Sequence, residues 1–266
     1  MITETRTQVR QMTSIPVLEM HGIGKRFGAV QALADIDFTV YAGEVVALVG
    51  DNGAGKSTLI KCISGINPID SGEIRFEGRP VTFRGPKDPA QLGIQTVYQD
   101  LALCDNLDVV ANLFLGREEV NRYLPKIAEP LDETSMEKRA IEVLRSLSVS
   151  IPSVRTKIAS LSGGQRQSVA IARAVMWNSK LVMLDEPTAA LGVAQTHQVL
   201  ELIKRLREQG LAVVVISHNL ADVFEVADRI TILRLGRLVG AFDAKVTSRE
   251  QIVAAITGAE FSADSA

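Results

Sequence analysis

The sequence predicts an α/β protein: a mostly parallel β-sheet covered by helices on both faces, an antiparallel β subdomain near its start, and an inserted α-helical subdomain. Three observations point that way. Hydrophobic residues make up 46% of the 266 residues and aromatics only 5%, so the core is aliphatic, as in buried parallel sheets. Short runs rich in Val, Ile and Leu alternate with stretches of helical periodicity. Between residues 100 and 159 that alternation gives way to helix signals alone.

Val17 to Met20 and Ile36 to Val40 read as short strands with turn signals between them. Glu44 to Gly50 is a β-branched run closing on glycine, the pattern of a buried strand. A helix from about Gly55 to Ser64 follows and stops at Gly65. Ile74 to Phe76 and Val81 to Phe83 flank Gly78 and Pro80 as an antiparallel hairpin. In the middle, Asp108 and Asp132 are candidate helix N-caps. Ala140, Ile141, Leu144 and Leu147 recur at helical spacing, and Pro125, Pro130 and Pro152 punctuate the stretch. Then the alternation returns. Leu181 to Leu184 is a strand, and Val199, Leu202, Ile203 and Leu206 share a helix face that ends at Gly210. Leu211 to Ile216 is the next strand, and Ile230 to Arg234 pairs with Leu238 to Phe242 around Gly236. Ser248 and Gln251 have the spacing of a capping box that opens a last helix. The expected division is a mobile tail over 1–15, a core over 16–99 and 160–260, and the helical insertion over 100–159.

Bulk properties narrow the function. Against 31 acidic residues stand 29 basic ones, a formal charge of −2, which gives no nucleic-acid footprint. Cys62 and Cys104 are too few for a disulfide framework and form no CxxC pair, so both read as small buried hydrophobes in a reducing compartment. No apolar run approaches the roughly 20 residues that cross a bilayer, and Met1 to Ser14 lacks the apolar segment of a secretory signal. Any membrane role comes through a partner.

Gly50-Asp51-Asn52-Gly53-Ala54-Gly55-Lys56-Ser57 matches the phosphate-loop pattern GxxxxGK[ST] in full. A strand enters it and a helix leaves it. The glycines let the backbone aim several N–H groups at one point, and the positive end of the helix dipole adds to that nest for phosphates. Lys56 brings a mobile charge to the same oxygens, the Ser57 hydroxyl can ligate Mg²⁺, and Thr58 stands beside it at the helix start.

Leu181 to Pro187 is an apolar strand ending in two adjacent carboxylates. It delivers charge to the C-terminal edge of the sheet, where open α/β folds bind ligands. Asp185 would hold the metal, and Glu186 would accept a proton from an attacking water. Alternation sends the two side chains to opposite faces.

Leu161-Ser162-Gly163-Gly164-Gln165 opens a helical stretch, with Ser162 and Gln165 at capping-box spacing. A cap alone has no use for two glycines in the first turn, since each costs up to about 1 kcal/mol relative to Ala in a helix interior. Close approach of a bulky anion to the helix N-terminus does. Two anion-binding helix starts in one chain suit a symmetric pair, each chain offering its second site to the other's nucleotide.

LSGGQ downstream of a phosphate loop resembles the signature of ABC-type ATPases, and the match runs in order from about Val17 to Gly258. The resemblance implies a RecA-like P-loop NTPase core with ATP and Mg²⁺ as cofactors. Phe27, in KRFG, resembles the aromatic that stacks on adenine. Gln99 resembles the Q-loop glutamine that touches the metal site and senses the membrane subunit. His218, in ISHN, resembles the switch histidine that contacts the γ-phosphate. The implied catalytic set is Glu186, His218, Gln99 and Lys56, and the metal set is Ser57, Gln99 and Asp185. One departure stands out: Ala189-Ala190-Leu191-Gly192 replaces the usual SALD-like D-loop, with glycine where an aspartate usually crosses the dimer interface.

The stretches FGAVQALADIDF, NLFLGRE and EPTAALG are similar to those of monosaccharide importers of the ribose, xylose or fructose type. That resemblance implies an ATP-hydrolysing subunit, peripheral on the cytoplasmic face of the inner membrane. It would pair with a second copy of itself, dock on transmembrane permease subunits and indirectly serve a sugar-binding protein, with no nucleic-acid partner. The alternative is a soluble ABC-type ATPase of translation or DNA repair. Those usually carry tandem cassettes, coiled coils or basic arms, and none is present. A non-hydrolysing nucleotide sensor would be expected to lack Lys56, Glu186 or His218, and all three are in place.

Overall fold

The computed structural model describes residues 15–120 and 130–259. Two sheets form its frame. β1 (Leu18–Phe27), β2 (Val30–Val40), β4 (Ser71–Phe76) and β5 (Arg79–Val81) make an antiparallel sheet in the order β2-β1-β4-β5. The larger sheet runs β10 (Arg237–Asp243), β9 (Arg229–Arg234), β3 (Val45–Val49), β8 (Ala212–Ile216), β7 (Leu181–Asp185) and β6 (Ile94–Val97). Its neighbours are parallel except the antiparallel β9–β10 pair.

Every residue of β3 and β8 is buried. These strands are covered on both faces, which is why they read as unbroken aliphatic runs. Pleating sends Val46 and Leu48 to one face and Ala47 and Val49 to the other. On the first face, α1 (Lys56–Ile63) and the antiparallel sheet close a cluster containing Leu18, Met20, Phe38, Leu59 and Ile63. The opposite face carries α5 (Gly163–Val175) and α6 (Val193–Glu208), with Val199, Leu202, Ile203 and Leu206 packed against Val182, Leu184, Val213 and Val215. Each such fully buried Leu or Ile stabilises the fold by about 1.5–3 kcal/mol. The same cluster continues into α3 (Val109–Phe114) and α4 (Glu133–Ser146) through Leu113, Phe114, Met136 and Leu144. A third cluster lies under α7 (Leu220–Val226) and α8 (Arg249–Thr257). The short α2 (Lys87–Leu92) precedes β6.

Local signals act as their chemistry predicts. Asp108 and Asp132 accept backbone bonds as N-caps of α3 and α4. Both capping boxes form, Ser162 with Gln165 and Ser248 with Gln251. The hairpin of β4 and β5 is antiparallel, although β5 ends at Val81 rather than Phe83.

Several expectations are corrected. The first two strands run 10 and 11 residues, because Gly22 and Gly24 sit in pairing slips within β1 rather than in turns between strands. Ile141 is 37% exposed, one step off the buried face of Ala140 and Leu144. Cys62 is buried, and its thiol is pushed up to about 11 by desolvation. Cys104 is only half-buried. α2, β6 and α7 had no counterpart in the sequence reading. The tail over 1–14 and Pro125 lie outside the described residues. Among those described, no helix is long and apolar enough to cross a membrane.

Candidate nucleotide site

The C-terminal ends of β3, β7 and β8 open onto a cleft of about 1040 Å³, lined by the loop from Gly50 to Thr58 and by Gln99, Asp185, Glu186 and His218. This is the edge where open parallel sheets bind ligands. The loop geometry needs glycine at its ends. Gly50 has φ 147° and faces the Leu233 carbonyl where a Cβ would stand. Gly55 has φ 107°, and a Cβ there would lie 2.9 Å from the Ala32 carbonyl. Gly55 also opens α1 without a side-chain cap, so the first N–H groups of the helix are available to an anion.

Lys56 arches back over this loop, its Nζ donating to the carbonyls of Gly50 at 2.6 Å and Asp51 at 2.9 Å. Burial lowers its pKa, opposed by the charges of Glu186, Asp51 and Asp185. Facing it, Asp185 is pushed above the usual carboxylate range, first by burial and then by the charge of Glu186, against the pull of Lys56 and Lys61.

Glu186 follows at the end of β7 in a left-handed conformation, φ 50°, which costs a non-glycine residue on the order of 1–3 kcal/mol. Two contacts hold it there. Its N–H donates to Ile216 O at 2.9 Å, and its Oε2 lies 2.8 Å from His218 Nδ1. Thr188 Oγ1 donates to the buried Asp222 at 2.6 Å, tying the loop after Glu186 to the helix after His218. Neither Thr188 nor Asp222 carried a sequence signal, because their pairing depends on β7 and β8 lying side by side. The wall formed by Leu235, Val253, Ile256 and Thr257 was likewise missed.

The hydroxyl of Ser57, the carboxylate of Asp185 and the amide oxygen of Gln99 share the cleft. They are hard oxygen donors gathered at one edge of the cleft. That donor set fits Mg²⁺.

Two groups of expected site residues lie elsewhere. Phe27 is 48% exposed at the end of β1, with Lys25 Nζ 5.5 Å from its ring centroid. It does not line the cleft, although Val30, Gln31 and Ala32 of β2 do. Ser162, Gly163, Gly164 and Gln165 open α5 outside this cleft. Packing also revises the reading of the two glycines. A Cβ on buried Gly164 would lie 2.9 Å from Gln195 Cβ of α6. Close helix contact therefore already requires glycine at 164. At Gly163 the nearest atom is the flexible tip of Leu191 at 3.0 Å.

A phosphate cradle and an acidic strand end converging on one parallel sheet define the class of P-loop nucleotide-binding proteins. The chain belongs to the ABC transporter family, whose sequence profile matches residues 33–189. It is 49% identical over 251 residues to the fructose import ATP-binding protein of Rhizobium meliloti, covering 94% of this chain and 96% of that one. It is 45% identical over 241 residues to the xylose/arabinose import ATP-binding protein of Sulfolobus acidocaldarius, covering 91% and 94%. Against a ribose import ATP-binding protein of Yersinia pestis identity is 41%, over 93% of this chain but 47% of that protein. Among solved structures, an ATP-binding cassette of an ABC transporter in its ADP conformation superposes with TM-score 0.76 at 28% identity, covering 92% and 96%. A dimeric cassette in a post-hydrolysis state with ADP and Pi gives TM-score 0.68 at 25% identity, covering 85% and 98%.

Proposed function

We propose that this chain is the ATP-hydrolysing subunit of a monosaccharide importer. The observation that carries the reading is the Glu186–His218 contact at 2.8 Å on the edge of the cleft that holds the phosphate loop. The N–H groups of Gly53 to Ser57 and the Lys56 ammonium bind the β- and γ-phosphates. Glu186, oriented by His218, accepts the proton of the attacking water. Ser57, Asp185 and Gln99 hold Mg²⁺, which when bound neutralises phosphate charge. Phe27 supplies an aromatic face for adenine from the end of β1.

Two chains clamp two nucleotides, each between the phosphate loop of one and Ser162 to Gln165 of the other. The dimeric post-hydrolysis relative supports that pairing, and so does the signature's position outside its own cleft. Closure shifts the population of attached transmembrane permease subunits, and hydrolysis releases the clamp. Residues 100–159 act as the subdomain that leads into the signature end of α5. The fructose and xylose/arabinose relatives support a sugar as cargo, delivered by a separate sugar-binding protein. The chain itself then sits peripherally on the cytoplasmic face of the membrane.

The test is ATPase activity of the wild type beside Glu186→Gln, with size-exclusion chromatography in MgATP. Expected is a turnover loss of about 10²–10⁴, the usual worth of a general base, with ATP binding kept and a dimer trapped. Unchanged turnover in the variant would sink the assignment.

A further inference from the structure

Gln99 lies on the cleft wall at the start of the connection from β6 to α3. Two residues further on, the chain is gripped from the helix that Ser162 to Gln165 opens. Arg173 of α5 donates one guanidinium nitrogen to Leu101 O and the other to Ala102 O, each at 2.8 Å. Ala102 adopts φ 48°, a conformation that a non-glycine residue holds only when its surroundings impose it. Seven residues earlier on α5, which is two helical turns and so the same face, Arg166 reaches Asp105 at 3.7 Å. The far end of the segment is fixed within its own connection. Buried Asn112 accepts from the Cys104 N–H at 2.7 Å and donates to the carbonyls of Cys104 and Asp108 at 3.1 and 2.9 Å.

We infer that Arg173 is a positioning residue for Gln99: it locks the segment after the glutamine to α5, so that displacement of the signature helix moves the metal side of the same chain's cleft. The planar guanidinium fork is what allows one side chain to span two successive carbonyls, a geometry lysine does not reproduce. Each chain thereby links the nucleotide gripped by its α5 to the one held in its own phosphate loop. The inference rests on the proposed nucleotide-dependent clamp and adds an internal connection to it.

The test is a double-mutant cycle between Arg173→Met and Gln99→Ala in the full chain, read by steady-state ATPase against Mg²⁺ concentration and by ATP binding in EDTA. Arg173→Met should raise the Mg²⁺ needed for half-maximal turnover about tenfold, within the range of couplings between residues in one network. ATP binding in EDTA should stay at the wild-type level, and the double variant should be no worse than Gln99→Ala alone. Arg173→Lys, which keeps one bond, should fall between wild type and Arg173→Met, and it serves if the methionine variant does not fold. Losses that multiply in the double variant, or an unshifted Mg²⁺ dependence, overturn the inference. Wild type that neither binds nor hydrolyses MgATP overturns the functional reading instead. In that event hydrogen exchange at the amides of Leu101 to Cys104 decides the Arg173 contact, and exchange unaltered by Arg173→Met removes it.

Discussion

His218 Nδ1 lies 2.8 Å from Glu186 Oε2 although the two residues come from different strand ends, and the histidine is 76% exposed while the carboxylate is 18% exposed. The exposed partner thus aims the half-buried one. Glu186 already departs from ordinary backbone geometry at φ 50°, so its side chain depends on this contact and on Ile216 for its direction.

His218→Ala should therefore leave a correctly placed backbone with an unaimed base. Turnover should fall roughly 10²-fold, at the lower end for loss of general-base function, with KM for ATP little changed because the phosphate loop is untouched. Steady-state kinetics checks this. Turnover at the wild-type level would remove His218 from the machinery.

Asp185 predicts a trade between stability and activity. Burial and the Glu186 charge raise its pKa from the ordinary 3.8, so the native protein holds that proton more firmly than the unfolded chain does. Stability then falls as pH rises from the ordinary carboxylate value through the raised one, and the penalty is fully present above it. Asp185→Asn should melt higher than wild type at pH 7.5, the gap closing toward pH 4, while MgATP turnover drops. A lower melting temperature for the variant at pH 7.5 would contradict the electrostatic account.

How far the sequence reaches depends on whether the chemistry is contiguous. Gly50 to Ser57 is legible because one turn must supply every donor, and Asp185–Glu186 because a single strand delivers both. The Glu186–His218 contact is different in kind. It exists because β7 and β8 pair in parallel, with Asp185 level with Ile216, and family resemblance rather than local pattern pointed to the histidine. Gly22 and Gly24 lie at pairing slips inside β1, since glycine marks a bulge inside a strand as readily as a turn between strands. The walls contributed by α8 and by Leu235 carry no local signal at all.

The two signature glycines should separate by mutation. Gly164→Ala places a Cβ 2.9 Å from Gln195 Cβ, an overpacking that costs about 1–3 kcal/mol. Gln195→Ala should not rescue it, because the offending atom remains. Gly163→Ala meets only the side-chain ends of Leu191 and Gln195, so it should keep or slightly raise the melting temperature while weakening nucleotide-driven dimerisation. Thermal unfolding with size-exclusion in MgATP distinguishes the two. Equal destabilisation by both substitutions would show that packing alone explains the pair.

Gly192 tests the departure in the D-loop. It caps α6 with φ −73° and ψ 162°, an extended conformation open to any residue, and offers no side-chain bond to the helix N–H groups. A Cβ there meets nothing within 4 Å. Gly192→Asp should therefore be accepted without strain and stabilise α6 by a few tenths of a kcal/mol through a new cap, about the difference between Gly and Asp at this position. The carboxylate also complements the positive end of the helix dipole. Urea unfolding of the two proteins measures the gain, and a loss of stability would mean that position 192 is constrained by contacts this chain does not make with itself.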